Sequence, residues 1–223
     1  MARTAVIVIG GGTPDERVCA ELPAERCVIA ADSGLDAARA LGLTVDLLVG
    51  DLDSVSPTGL AIAESAGTAV ERHPPAKDAT DTELAIDAAL RQGCVHLIGV
   101  SGGPRADDPR LDHELGGLLA FARPDLGGVR VELWWGPTHL EVLHGPAAAT
   151  LRGRPGDLVS LLPLHGPASG IVTEGLRFPL LGEELPAGSS RGVSNVVEHA
   201  PATVRVALGT LLVIHPPPTG ATT

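Results

Sequence analysis

The chain has 223 residues, 44% of them hydrophobic, and sets 16 Lys and Arg against 27 Asp and Glu for a formal net charge of −11. That length accommodates one large domain or two modest ones with ample core, and the acidic balance argues against a nucleic-acid partner, which needs a basic face. No apolar run approaches membrane length and no signal core is recognisable, so the expectation is a cytoplasmic protein with no membrane association.

Ala5 to Ile9 is a short β-branched run closed by Gly10-Gly11-Gly12, which reads as a buried parallel strand entering a loop, with Pro14 suited to a first helical turn. Neither a dinucleotide fingerprint nor a P-loop follows it. Cys27 to Ala31 is a second strand, and Asp32-Ser33-Gly34 stands at its carboxyl end before a helix from about Leu35 to Leu41. Open α/β sheets bind ligands at such strand ends, while Asp is also a common helix cap. Leu47 to Val49 is a third strand, then Pro57 to Ala66 a helix, Thr68 to Arg72 a strand, and Asp81 to Gln92 a helix begun by the capping box of Thr80 and Glu83. Glu83, Asp87 and Arg91 fall on one stripe of it, read as a solvated face with ion pairs. Val95 to Val100 is a strand ending in Ser101-Gly102-Gly103; a helix runs from Arg110 to about Ala122, and Val129 to Trp135 is a further strand. His96 reads as structural. From there short β-like runs recur: His139 to Leu143, Asp157 to Leu162, Gly170 to Thr173, Arg191 to Val196, Thr203 to Leu208 and Leu211 to His215. The fold expected is an N-terminal parallel-sheet α/β domain over residues 1–140, a C-terminal all-β sandwich over 147–216 and a flexible tail over 217–223.

Between Gly50 and Glu83 lie two acidic groups, Asp51-Leu52-Asp53-Ser54 and Lys77-Asp78-Ala79-Thr80-Asp81, each where a strand or loop hands over to a helix. Crowded carboxylates raise one another's pKa unless a cation stands between them. Oxygen-only ligands suit a hard ion, and Mg²⁺ takes one or two carboxylates together with substrate phosphates. Lys77 is the chain's single lysine, every other basic side chain being arginine, and a compact point charge beside such a cluster suits a phosphate. Arg110, beyond a strand-end glycine turn, suits one as well. The chemistry these residues point to is phosphoryl-type transfer from a nucleotide.

Taken in order, Ala31-Asp32-Ser33-Gly34, Gly50-Asp51-Leu52-Asp53-Ser54, Lys77 to Asp81, Gly102-Gly103 with Arg110-Leu111-Asp112-His113, Thr173 to Leu180 and Ser194-Asn195 resemble the thiamine pyrophosphokinase (thiamine diphosphokinase) family across nearly the whole chain. The resemblance implies a homodimer that transfers a pyrophosphoryl group from ATP to the hydroxyl of thiamine and releases AMP. It implies Mg²⁺ held by Asp51, Asp53 and Asp81, with Lys77 and Arg110 completing the catalytic set. Asp32, Ser33, Gly34, Asp78, Thr80, Gly102, Gly103 and Asp112 would line the nucleotide. Phe178, Ser194 and Asn195 would meet thiamine at a subunit interface. Phe178 stands where many members carry tryptophan, and Pro104 to Pro109 looks like an insertion. Alternatives from the same residues are another heteroaromatic alcohol as acceptor, such as a hydroxymethylpterin, or a binding module without turnover. A third is a haloacid-dehalogenase-type hydrolase built on Asp51 and Asp53, disfavoured because Lys77 follows too soon for that chemistry.

Overall fold

The computed structural model describes residues 3–104 and 110–217. They fall into two compact units, one of residues 1–121 and 132–136, the other of 122–131 and 137–223.

In the first unit β1 (Thr4–Ile9), β2 (Cys27–Ala31), β3 (Leu47–Gly50) and β4 (Ala69–Arg72) lie in parallel, β1 pairing on its other side with β5 (His96–Ser101). β6 (Arg130–Trp135), of which residues 132–135 belong to this unit, follows β5 in the sheet, giving the order β4-β3-β2-β1-β5-β6. The order therefore reverses between β1 and β5, the switch point where open α/β sheets receive ligands. The apolar run of β1 is buried along nearly its whole length because helices cover both faces of such a sheet. Four helices supply that cover: α1 (Gly34–Ala40), α2 (Pro57–Ser65), α3 (Asp81–Arg91) and α4 (Leu111–Phe121). Gly34 opens α1 because no side chain fits there; a Cβ would stand 2.1 Å from Val8 O. Ser56 caps α2 by accepting from the Gly59 N–H at 3.0 Å, with Pro57 in the first turn. Val6, Val8, Ala30, Leu35, Leu48 and Val100 belong to the apolar core on one side of this sheet.

A local expectation needs correction. Pro14 starts no α-helix; Asp15 instead caps a short 3-10 turn, Glu16–Ala20, through the Arg17 N–H. On the stripe of α3, exposed Arg91 makes an ion pair with Glu71 on β4 at 2.6 Å, and Glu83 is engaged by the capping box. His96 is structural as expected, its Nε2 lying 2.9 Å from Glu132 on β6. The inferred insertion lies, but for Pro104, outside the described residues, as does all but Pro217 of the expected tail.

The second unit is strand-rich: β7 (Thr138–His144), β8 (Ala147–Leu151), β9 (Leu158–Glu174), β10 (Leu181–Leu185), β11 (Asn195–Val196), β12 (Ala202–Val206) and β13 (Leu208–His215). The two runs expected around Gly166 and Pro167 are one bent strand: Ser160 to Leu164 of β9 pair with β13, and Ala168 to Glu174 pair with β10 and β12. Positive φ at His165, Gly166 and Gly170 accommodates the bend. The run expected over Arg191 to Val196 is a strand only at Asn195 and Val196. β8 and β10 were not expected. Val159, Leu161, Ile171, Leu185, Val204, Leu211 and Val213 pack this unit's own core.

Candidate active site

Asp32 leaves the end of β2 with φ 47°, and Gly50 leaves the end of β3 with φ 150°. The parallel pairing of Ala31 with Val49 sets these turns side by side. A Cβ on Gly50 would lie 3.1 Å from Asp81 Oδ1 and 3.2 Å from Asp32 Cβ, so a side chain there would enter the space between two carboxylates. Leu52, between Asp51 and Asp53, also takes a positive φ, 66°, a strained state for a bulky residue. Asp32, Asp51 and Asp53 each offer an oxygen within 4.8 Å of the others.

Lys77 Nζ donates to Asp51 Oδ2 at 2.8 Å and stands 2.9 Å from Asp81 Oδ1, an ion pair by distance whose angles fall short of a hydrogen bond. Burial draws the lysine pKa down, but the hydrogen bond to Asp51 and then the close Asp81 carboxylate outweigh it and hold the ammonium above its ordinary value. In return Lys77 holds Asp51 low. Asp32 is the opposite case. Burial pushes its carboxyl up; the Ser33 N–H pulls it back in part, while Asp81, Asp53 and Asp51 push it further. Its Oδ1 is buried without a hydrogen-bond partner. An orphaned carboxylate oxygen facing two more carboxylates fits a hard divalent cation.

Behind this set, Asp36 on α1 accepts from both the N–H of Ser56 at 3.1 Å and its hydroxyl at 2.7 Å, pinning the far end of the loop that carries Asp51 and Asp53. Nothing singled out Asp36 in the sequence, although it follows Asp32 by one helical turn. Thr80 spends its hydroxyl on the capping box, accepting from the Glu83 N–H at 3.3 Å, and Asp78 is exposed. Ser33 precedes α1 without capping it and lies against Gly10. Gly102 and Gly103 meet the first glycine loop, Gly12 N donating to Gly103 O at 2.7 Å. Arg110 forks onto Asp112 at 3.0 and 2.7 Å, holding that exposed carboxyl down to about 2.

In the second unit Phe178, Ser194 and Asn195 converge. Asn195 is buried and clamps the Phe178 backbone, accepting from its N–H at 3.1 Å and donating to its carbonyl at 2.7 Å. The Phe178 ring is left 63% exposed. Ser194 takes φ 59°, its N–H donating to Ser160 Oγ at 3.0 Å.

Two family models cover most of the chain: the thiamin pyrophosphokinase catalytic domain over residues 20–132 and the thiamin pyrophosphokinase vitamin B1 binding domain over 149–211. The chain belongs to the thiamin pyrophosphokinase family. Among relatives, the thiamine pyrophosphokinase of Bacillus subtilis is 25% identical over 167 residues, 74% of this chain and 75% of its own length. A crystal structure of thiamine pyrophosphokinase from Bacillus subtilis superposes with TM-score 0.81 at 21% identity, covering 96% of this chain and 99% of that one. Thiamin pyrophosphokinase from Candida albicans superposes with TM-score 0.76 at 14% identity, covering 96% and 89%. At such identities the structural likeness speaks for the fold, an α/β unit with a strand-rich unit, which family members share. No helix among the described residues is long and apolar enough to cross a membrane.

Proposed function

We propose that this protein transfers the β,γ-pyrophosphoryl group of ATP to the hydroxyl of thiamine, giving thiamine diphosphate and AMP. The thiamine hydroxyl oxygen bonds to the β-phosphorus and gives up its proton to an aspartate of the site or to water, the bond from that phosphorus to the oxygen bridging to the α-phosphate breaks, and AMP leaves with the bridging oxygen. Family membership supports the reaction, and one observation carries its location: Asp32, Asp51 and Asp53 converge beside Lys77 at the strand ends. Such transfer asks a protein mainly for alignment and charge neutralisation. Asp51 and Asp53 would hold Mg²⁺ together with Asp32, rather than with the Asp81 that the resemblance implied, because Asp81 lies against Lys77; when bound, the ion neutralises polyphosphate charge and orients it. Asp81 keeps Lys77 within reach of the same phosphates. Arg110, kept in place by Asp112, would meet the departing AMP, and Ser33, Gly34, Asp78, Thr80, Gly102 and Gly103 would border the nucleotide.

Phe178 would offer its exposed face to the thiamine ring, with Ser194 and Asn195 shaping the loop beneath. We read the protein as a homodimer with the thiamine site at the subunit interface. Supporting this, Phe178 and Leu181 are 63% and 78% exposed, and Leu111, Leu115 and Leu119 make an exposed stripe on α4, apolar surface of the kind that interfaces cover. Three free cysteines accord with a reducing cytoplasm.

The test is incubation with ATP, Mg²⁺ and thiamine, reading AMP and thiamine diphosphate by mass. Asp53→Ala is expected to lower turnover by about 100-fold or more while the melting temperature stays near wild type. Wild-type turnover in that variant would remove the site assignment.

A further inference from the structure

The reaction uses carboxylates at the ends of β2 and β3, yet the switch point of the sheet lies between β1 and β5. There the backbones after the two strands approach closely: a Cβ on Gly102 would stand 2.0 Å from Gly12 O, and one on Gly11 2.9 Å from Gly103 O. Two glycine loops thus make a floor without side chains. Glu114, in the first turn of α4, reaches over it. Its Oε1 lies 3.6 Å from where a Gly11 Cβ would be, the same distance as Ser101 Oγ. Its Oε2 is buried and has no hydrogen-bond partner. Burial raises the carboxyl's pKa, and the Trp135 indole donor, the next influence, offsets that only in part. The Trp135 ring extends along the same wall, Cδ1 being 3.7 Å from a Cβ placed on Gly103 and Cη2 3.4 Å from one on Gly117.

A partnerless buried carboxylate oxygen is costly to keep unless a ligand supplies its donor. The acidic set already occupies the β2 and β3 ends, so a polyphosphate there leaves the nucleoside to fall over β1 and β5. We propose that Glu114 determines nucleoside specificity by accepting a hydrogen bond from a donor group of the bound nucleotide, a sugar hydroxyl or the base amino group, beside the Trp135 ring. The proposal rests on the pyrophosphoryl-transfer reading above for the nucleotide itself. A carboxylate taking ribose hydroxyls near a strand-end glycine turn is a recurrent solution in α/β nucleotide sites.

The experiment is calorimetric titration of wild type, Glu114→Ala and Glu114→Gln with AMP, 2′-deoxy-AMP, 3′-deoxy-AMP and the 6-deamino analogue of AMP, alongside turnover with ATP. Wild type should bind one of the three deletion probes about tenfold more weakly than AMP, and Glu114→Ala should weaken AMP about as much and abolish that discrimination. In turnover the loss should appear in KM for ATP, with kcat changed less than about threefold. Glu114→Gln keeps an acceptor and the shape and should fall between, which also covers a failure of the alanine variant to fold. Equal AMP affinity in wild type and Glu114→Ala, or discrimination that survives the substitution, overturns the assignment. The two readings fail separately: a wild type that discriminates among the probes but makes no thiamine diphosphate leaves Glu114 standing and sinks the transfer reaction, whereas normal thiamine diphosphate synthesis with an indifferent Glu114→Ala sinks only the assignment.

Discussion

Lys77 keeps Asp51 and Asp81 together by standing within 2.9 Å of both, with only 13% of its side chain exposed. Removing it leaves two partly buried carboxylates facing each other. Lys77→Ala is therefore expected to lose roughly 1–2 kcal/mol of stability in urea titration and about 100-fold or more in turnover, since under the proposed function the phosphates would lose a fixed cation. Lys77→Arg should recover most of the stability without the turnover, because a planar guanidinium cannot place its charge where a compact ammonium did; full turnover in that variant would show that only charge is needed. The sequence made Lys77 conspicuous as the single lysine, and it made Asp51 and Asp53 conspicuous by crowding. Asp32 read as a nucleotide contact because it ends a strand. Its nearness to Asp51 and Asp53 depends on β2 and β3 being neighbours in the register that pairs Ala31 with Val49, a long-range fact no local pattern carries. Glu114 was hidden for the same reason: its Oε1 lies near Gly11, far away in the chain, and its Oε2 is buried unpaired only once the chain has folded.

At the level of elements, legibility followed local chemistry. α3 begins where the capping box said it would, Thr80 N donating to Glu83 Oε2 at 2.8 Å while Thr80 Oγ1 accepts in return. That cap also fixes the helix end from which Asp81 reaches Lys77. Thr80→Ala should cost about 1 kcal/mol of stability, Thr80→Ser should restore most of it, and turnover should fall further than the stability loss alone explains; unchanged denaturation midpoints would deny the cap its weight. Where strands lacked a pattern they were missed. β8 is Ala147-Ala148-Ala149-Thr150-Leu151, too small-chained to show alternation, and β10 carries Gly182, Glu183 and Glu184 on an exposed course. Both exist because neighbours pair with them, β12 along all of β8 and β9 along β10. β9 erred the other way: Gly166-Pro167 reads as a break, but the backbone bends there and continues, giving one strand to two sets of partners.

For the whole molecule the formal charge of −11 means that the triphosphate proposed above would have to be drawn in by a few local cations, and by Mg²⁺ if it is bound, against the field of the remainder. It also means that acid affects this protein through more than its site. In the strand-rich unit His215 on β13 is 7% exposed, faces His139 on β7 with ring centroids 5.7 Å apart, and has no well-formed hydrogen bond to either ring nitrogen. Burial, then His139 and Arg152, depress its pKa from 6.5 to about 4. Below the ordinary value an unfolded chain takes up a proton that the folded one refuses, so the neutral ring's contribution is complete above about pH 6.5 and drains away as pH falls towards 4. His144, also lowered by burial, adds in the same direction. Urea titrations between pH 8 and 4.5 should show wild type losing stability on acidification faster than His215→Leu, the gap between them widening by roughly 2 kcal/mol over that range. Parallel curves would mean that His215 protonates as readily folded as unfolded, and the buried imidazole pair would then have no part in the acid sensitivity of the fold.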